Sequence, residues 1–276
     1  MALKSFPGGP QAASPAPPLL WGVRPGVLPG SPFPPGVRVA MAGLEAGPPA
    51  LLPAERALLG PDVPAARLTE FALGRHCARM ALAALHPPAG ETPVGRADGR
   101  APRWPEGFVG AITHRRGHAA AAAAPAGRFL GLGIDLEGAR PLPPRLRRRV
   151  LRPEELAALP PGSAGEAAAM LLFSAKESLF KALHPLTGVY LGFQDATVQV
   201  RPGGGAQTGE ATHPAGGPGE RRHGSGELPE TEEGGGTLTW TLHKDCGPRW
   251  PVGSSGVGGF RRAGALVLTG VWLENG

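Results

Sequence analysis

Apolar residues recur at helical spacing through Leu68, Phe71, Ala78, Leu82 and Leu85, which predicts a long helix over about 65–85. His86-Pro87-Pro88 stops it, because proline has no backbone N–H to donate and disfavours helix in the residue before it. A second helix is predicted over about 166–184, with Leu172, Ala175, Leu179, Phe180 and Leu183 on its buried face, and a short one over about 153–159. Brief apolar runs predict strands at 38–42, 108–114, 128–137, 193–200, 237–243 and 264–273. The alanines from Ala119 to Ala124 favour helix by intrinsic propensity, yet Pro125 leaves them little room. A strand is the preferred reading, joined to the preceding one through Arg115-Arg116-Gly117. The order strand, helix, strands occurs twice, which suggests two small α/β halves meeting near 127–133.

Composition narrows the picture. The 276 residues are 41% hydrophobic, enough for a real core, but Gly 44 and Pro 34 concentrate where chains do not pack. Residues 1–30, rich in proline, alanine and glycine, are expected to be disordered, and 202–236 reads as a flexible glycine-rich insert. The halves are then 31–130 and 131–276. A formal net charge of +6 favours anionic partners. Nucleic acid is a rival partner on that ground, opposed by 18% charged and 5% aromatic residues and by the lack of a stacking or helix-turn-helix pattern. Two cysteines, Cys77 and Cys246, form no metal-spaced set or disulfide framework. The start carries no signal-peptide run or membrane span, so a soluble cytoplasmic protein is expected. No HExxH, P-loop or Ser/His/Asp pattern is present.

The chemistry concentrates in Gly133-Ile134-Asp135-Leu136-Glu137 and in Phe173-Ser174-Ala175-Lys176-Glu177-Ser178-Leu179-Phe180-Lys181. On a strand, Asp135 and Glu137 share a face, roughly 7 Å apart at Cα, with Gly131 and Gly133 clearing space beside them. On the helix, Ser174, Glu177, Ser178 and Lys181 form one stripe. Three carboxylates suit Mg²⁺, a hard cation that prefers oxygen donors and keeps part of its shell for water and phosphate. Each element also has a plainer reading: Asp135 and Glu137 as a solvated strand end, and Glu177–Lys181 as an i, i+4 surface pair. Lys176 projects into the apolar face, where it either snorkels outward or reaches an anion at the seam. Arg75 lies inside an apolar stripe and needs an anionic partner, either a carboxylate or a phosphate. His114 ends a strand and is either a phosphate donor or a structural histidine. The run Arg145, Arg147, Arg148, Arg149 is either a docking face for an acidic protein or a solvated helix end.

Taken together, these segments resemble the 4′-phosphopantetheinyl transferases of the Sfp type, particularly the branch of enterobactin synthetase component D. The match has four blocks in order: Glu70 to Arg75; Gly99 to Pro105 leading into Gly110 to His114; Gly133 to Glu137; and Phe173 to Leu183. The resemblance implies a monomer of the mixed α/β (α+β) class, with two similar small halves related by a pseudo-twofold and mainly antiparallel sheets. Coenzyme A would lie in the seam between them. It implies that Asp135, Glu137 and Glu177 ligate Mg²⁺, and that Arg75, Arg100, Thr113 and His114 contact the nucleotide and its phosphates. Lys181 would meet the pyrophosphate, with Lys176 also on the coenzyme A side, and Glu177 would take the proton of a carrier-protein serine. The implied partners are acyl or peptidyl carrier domains of nonribosomal peptide, polyketide or siderophore synthases. A catalytically inactive carrier-binding relative is the nearest alternative, opposed by the presence of all three carboxylates and Lys181. Ala111 and Thr113 stand where serines are common in this branch, and the basic residues usual before Glu70 are thinned to Arg67.

Overall fold

The computed structural model describes residues 30–43, 48–97, 101–138, 140–203, 234–263 and 265–275. The expected disordered start and the body of the glycine-rich insert lie outside these residues, as does Arg100.

The first half contains β1 (Arg38–Gly43), α1 (Pro53–Arg56), α2 (Ala65–Ala83), the short ribbon β2 (Gly95–Arg96) and β3 (Pro102–Arg103), and the hairpin β4 (Phe108–Arg115) and β5 (His118–Pro125). Its main sheet runs β1-β5-β4, antiparallel throughout. The hairpin closes on two residues, Arg116 (φ 42°) and Gly117 (φ 82°), both in the left-handed region that matches strand twist. β5 explains why the alanine run escapes its helix propensity. Ala119, Ala121 and Ala123 pack toward α2, whereas Ala120, Ala122 and Ala124 pack toward the second half. A strand buried on both faces reads as a continuous apolar run, and tertiary packing outweighs propensity.

The second half contains β6 (Phe129–Gly138), α3 (Pro144–Val150), α4 (Pro153–Ala157), α5 (Gly162–Thr187), β7 (Ala196–Pro202), β8 (Gly234–Leu242), β9 (Ser255–Ala263) and β10 (Leu266–Glu274). The five strands are ordered β6-β10-β9-β8-β7 and are antiparallel. α5 is longer than its apolar stripe suggests: it carries Pro185 inside and ends on Gly188 at φ 66°. β9, which carries Gly256, Gly258 and Gly259 and is not among the strands the sequence predicts, pairs on both sides. Its glycines admit close neighbours: a Cβ at Gly259 would lie 2.2 Å from the Pro32 carbonyl oxygen.

The result is layered. α2 covers one side of the first sheet, and α5 covers one side of the second. Between the sheets lies a core of Phe33, Phe129, Leu132, Ile134, Leu136 and Leu268 with the alternate alanines of β5. This is the mixed α/β, antiparallel architecture the sequence predicts. Among the described residues, no helix is long and apolar enough to cross a membrane.

Candidate active site

α5 crosses β6 so closely that a Cβ at Gly133 would lie 1.8 Å from the Ser178 carbonyl oxygen. The space the strand glycine leaves is therefore filled by helix backbone, not held open for an ion. This contact sets the Ser174, Glu177, Ser178 and Lys181 stripe over the acidic end of β6. Asp135 is 5% exposed and engaged through both oxygens. Oδ1 accepts from Lys181 Nζ at 2.6 Å and from Thr113 Oγ1 at 3.3 Å, while Oδ2 accepts from Ser174 Oγ at 2.9 Å. Lys181 also donates to the Ile134 carbonyl (3.1 Å) and to Thr113 Oγ1 (3.2 Å).

Glu137 is buried, with Arg115 Nη1 2.6 Å from its Oε2. The approach is poorly angled, because that oxygen still has no hydrogen-bond partner. Burial raises the pKa of Glu137, and the charge of Asp135 raises it further, against the pull of Arg115 and Lys181. Glu177 behaves alike: burial first, then Asp135, push its pKa up, with Lys181 opposing. The charge of Asp135 thus disfavours charge on both Glu137 and Glu177, which a divalent cation would relieve. Among the described residues, however, no three His, Cys, Asp or Glu side chains form a closed group able to hold a metal. Lys181 and Arg115 supply the positive charge at Asp135 and Glu137 instead.

A basic region adjoins this cluster. Arg75 is 6% exposed, donates from Nη2 to the Gly95 carbonyl at 2.8 Å and sits 4.4 Å from the Phe71 ring centroid. Its Nε has no hydrogen-bond partner. Burial lowers its pKa to about 10; Glu55 opposes this, and Arg96, Arg67 and Arg79 add to it. Glu55 is already committed to Arg79 and to the backbone N–H groups of Leu52 and Val94. Arg75 therefore faces like charges with no carboxylate in contact among the described residues. His114 connects the two regions: its Nδ1 is 3.8 Å from Glu70 Oε2. Burial lowers its pKa, with Glu70 and Asp135 opposing and Arg67 and Lys181 adding to the shift.

Between β4 and α5 lies an apolar cleft of about 420 Å³, with Trp104, Ile112, Leu132, Phe180 and Leu186 in its walls and Lys181 at its edge. A smaller hollow of about 90 Å³ adjoins Glu177, Phe180, Tyr190 and Leu191.

A family model described as the 4′-phosphopantetheinyl transferase N-terminal domain matches residues 54–124, and one described as the 4′-phosphopantetheinyl transferase superfamily matches 131–224. The chain is 40% identical over 163 residues to the 4′-phosphopantetheinyl transferase Npt of Nocardia iowensis, covering 58% of this chain and 71% of that protein. The chain belongs to the 4′-phosphopantetheinyl transferase family. It is also 44% identical over 164 residues to the transferase Svp of Streptomyces mobaraensis (57% of this chain, 64% of that one). With the transferase PptT of Mycobacterium tuberculosis it shares 39% over 167 residues (58% and 70%). The match thus spans about two thirds of the length of these relatives.

Within this chain the expected site residues divide. Asp135, Glu137, Glu177 and Lys181 are brought together, and Arg75 and His114 lie on the adjoining basic region. Thr113 departs from expectation: its hydroxyl is turned into the acidic cluster, where it also accepts from the Leu136 N–H at 3.3 Å. Lys176 requires correction. Its Nζ donates to Glu155 Oε2 (2.6 Å), Val150 O (2.9 Å) and Phe193 O (2.8 Å), so every donor is taken inside the second half. It ties α3, α4 and the turn at Phe193–Asp195 to α5 and has nothing left for a nucleotide. Four residues escaped the sequence reading of the transferase site: Arg96, Arg115, Ser174 as a ligand of Asp135, and Thr269. The first two lie in runs too short to show a pattern, and the pairing of Ser174 with Thr269 joins residues 95 apart in the chain.

Proposed function

We propose that this transferase moves the 4′-phosphopantetheine arm of coenzyme A to a serine of an apo carrier protein, releasing 3′,5′-ADP. The observation that supports it best is the cluster where α5 crosses β6, with Lys181 on Asp135 and the charge of Asp135 acting on both Glu137 and Glu177, together with a buried guanidinium on α2, Arg75, that has no carboxylate in contact among the described residues. A polyanion that brings a hard cation matches that set. The donor set of Asp135, Glu137 and Glu177 is all oxygen, and the unpartnered Glu137 Oε2 leaves one of them open, so these residues fit Mg²⁺. When bound there, Mg²⁺ would neutralise charge on the pyrophosphate.

The chain's own residues do the rest. A serine hydroxyl is a weak nucleophile until a base takes its proton. Glu177, whose burial raises its proton affinity, is that base. The serine oxygen forms a bond to the β-phosphorus as the bond to the bridging pyrophosphate oxygen breaks, and the electron pair leaves with 3′,5′-ADP. Lys181 offsets the charge that develops on the pyrophosphate. Arg75 and His114 bind the nucleotide end, with Arg100 assigned there by resemblance alone. The reading extends to the Sfp type and its enterobactin synthetase branch, and to two pseudo-twofold halves, 31–130 and 131–276. It further extends to a cytoplasmic monomer serving carrier domains of nonribosomal peptide, polyketide or siderophore synthases.

The test is mass spectrometry of an apo carrier protein incubated with coenzyme A, Mg²⁺ and enzyme. The carrier gains one phosphopantetheine with the wild type, and Glu177→Gln and Asp135→Ala each reduce the initial rate by at least about 100-fold. Transfer at wild-type rate by either variant would overturn the assignment.

A further inference from the structure

The carboxylate of Asp135 is held from behind by a chain of hydroxyls that reaches into β10. Ser174, Ser178 and Thr269 are each 0% exposed. Ser174 Oγ lies 2.9 Å from Asp135 Oδ2 and 2.9 Å from Thr269 Oγ1, which in turn lies 2.8 Å from Ser178 Oγ. We propose that Thr269 is a positioning residue for Asp135, acting through Ser174.

The direction of the chain follows from proton counting. A carboxylate only accepts, so the single hydroxyl proton of Ser174 is spent on Asp135 Oδ2. The bond between Ser174 and Thr269 must then be donated by Thr269. With that proton used, Ser178 donates to Thr269 Oγ1, and the Thr269 carbonyl at 3.2 Å is its second acceptor. Every donor points the same way, from Ser178 through Thr269 and Ser174 to Asp135. Hydroxyls in such a chain polarise one another, which strengthens the last bond to the carboxylate.

The register explains why β10 can do this. Thr269 is the cross-strand neighbour of Asp135 in the β6–β10 pair, so both side chains face α5. Ser174 and Ser178 are one turn apart on α5 and bracket the threonine hydroxyl. With Oδ2 fixed by Ser174, the plane of the carboxylate is set, and Oδ1 is presented to Lys181 and Thr113. Packing alone would be served as well by valine at this buried strand position; a hydroxyl there is costly unless it is satisfied. Thr269 lies outside the stretch matched by the superfamily model and outside every motif of the site.

This inference rests on the proposed role of Asp135 as a ligand, so the experiment separates the two. Mn²⁺ is titrated into the protein in the presence of coenzyme A, and the electron paramagnetic resonance signal of the free aqua ion reports binding without turnover. Thr269→Val keeps the shape and removes the hydroxyl; it weakens Mn²⁺ binding about tenfold, and Thr269→Ser restores it to within about twofold of wild type. Ser174→Ala, which cuts the same chain from the helix side, matches Thr269→Val. In the transfer assay the loss appears in the metal-concentration dependence, with KM for the carrier unchanged. Binding by Thr269→Val within about twofold of wild type, while Asp135→Ala abolishes it, would overturn the positioning role and leave the proposed function standing. A serine variant as weak as the valine variant overturns it too, since packing would then be the cause. Absence of saturable Mn²⁺ binding by the wild type overturns both.

Discussion

Gly133→Ala tests the contact on which the site geometry depends. A Cβ at this position would lie 1.8 Å from the Ser178 carbonyl oxygen, 2.7 Å from its carbon and 2.9 Å from the Ala182 nitrogen. All three are main-chain atoms of α5, so no side-chain rotation relieves the clash; helix and strand must separate by about 1.2 Å to reach a tolerable contact. Overpacking of this kind costs about 1–3 kcal/mol, which lowers Tm by about 3–10 °C in a protein of this size. The functional loss is larger in proportion. Glu177 and Lys181 ride on the helix and Asp135 on the strand, and a misplacement near 1 Å costs about 100-fold in rate. Differential scanning calorimetry and the carrier-transfer assay would be run together, with Gly131→Ala as the milder comparison, since its nearest atom, the Ala182 carbonyl oxygen, is 2.9 Å away. A Gly133→Ala protein with wild-type Tm and activity would refute the close crossing and, with it, the placement of the α5 stripe over β6.

Other perturbations have distinct signatures. Lys176→Met leaves Glu155 buried without its cation and should cost about 3–5 kcal/mol; chemical denaturation would show this, whereas a nucleotide-binding role would instead raise KM for coenzyme A at unchanged stability. Arg75→Met removes a buried guanidinium that repels its neighbours. The fold should keep or gain stability in thermal unfolding, while KM for coenzyme A rises about 10- to 100-fold through loss of charge-assisted bonds to phosphate. In the metal-free protein the Glu177 carboxyl should titrate above the ordinary glutamate value of about 4.3, because burial and the charge of Asp135 hold its proton. An NMR titration of the side-chain carboxyl carbon checks this, and a midpoint at or below the ordinary value would contradict the base assignment.

The parts of this molecule that were legible in the sequence are those where one element carries its own pattern. The apolar stripes of α2 and α5 predict those helices, and the Asp135/Glu137 alternation together with the Glu177/Lys181 spacing predicts which residues share faces. What could not be read depended on contacts between distant segments. Gly131 and Gly133 look like room for an ion beside Asp135, but only the packed structure shows that helix backbone takes the space at Gly133. Lys176 looks available because its partner Glu155 lies in another helix and its carbonyl acceptors come from the end of α3 and a later turn. β9 carries so many glycines that its local preference is for a loop; pairing with β8 and β10 on either side overrides it. The alanine strand resolves the same way, because its two buried faces serve different cores.

The three carboxylates are not equivalent, and the difference bears on their roles. Asp135 is held through both oxygens by a lysine, a threonine and a serine, which suits a fixed ligand. Glu137 has Arg115 beside it but one oxygen without a hydrogen bond, the condition of a donor waiting for a better-placed cation. Glu177, among the described residues, makes no hydrogen bond or ion pair through its side chain, and it adjoins the small hollow lined by Phe180, Tyr190 and Leu191. Its proton affinity is raised by burial and by Asp135, so it is the member of the set whose charge is least fixed by its surroundings. A base must be free to take a proton and give it up again, and Glu177, the least restrained of the proposed donor set, fits that role beside the cation. In the proposed transfer the restraint on Asp135 would then give one fixed ligand from β6, and the freedom of Glu177 one mobile carboxylate from α5.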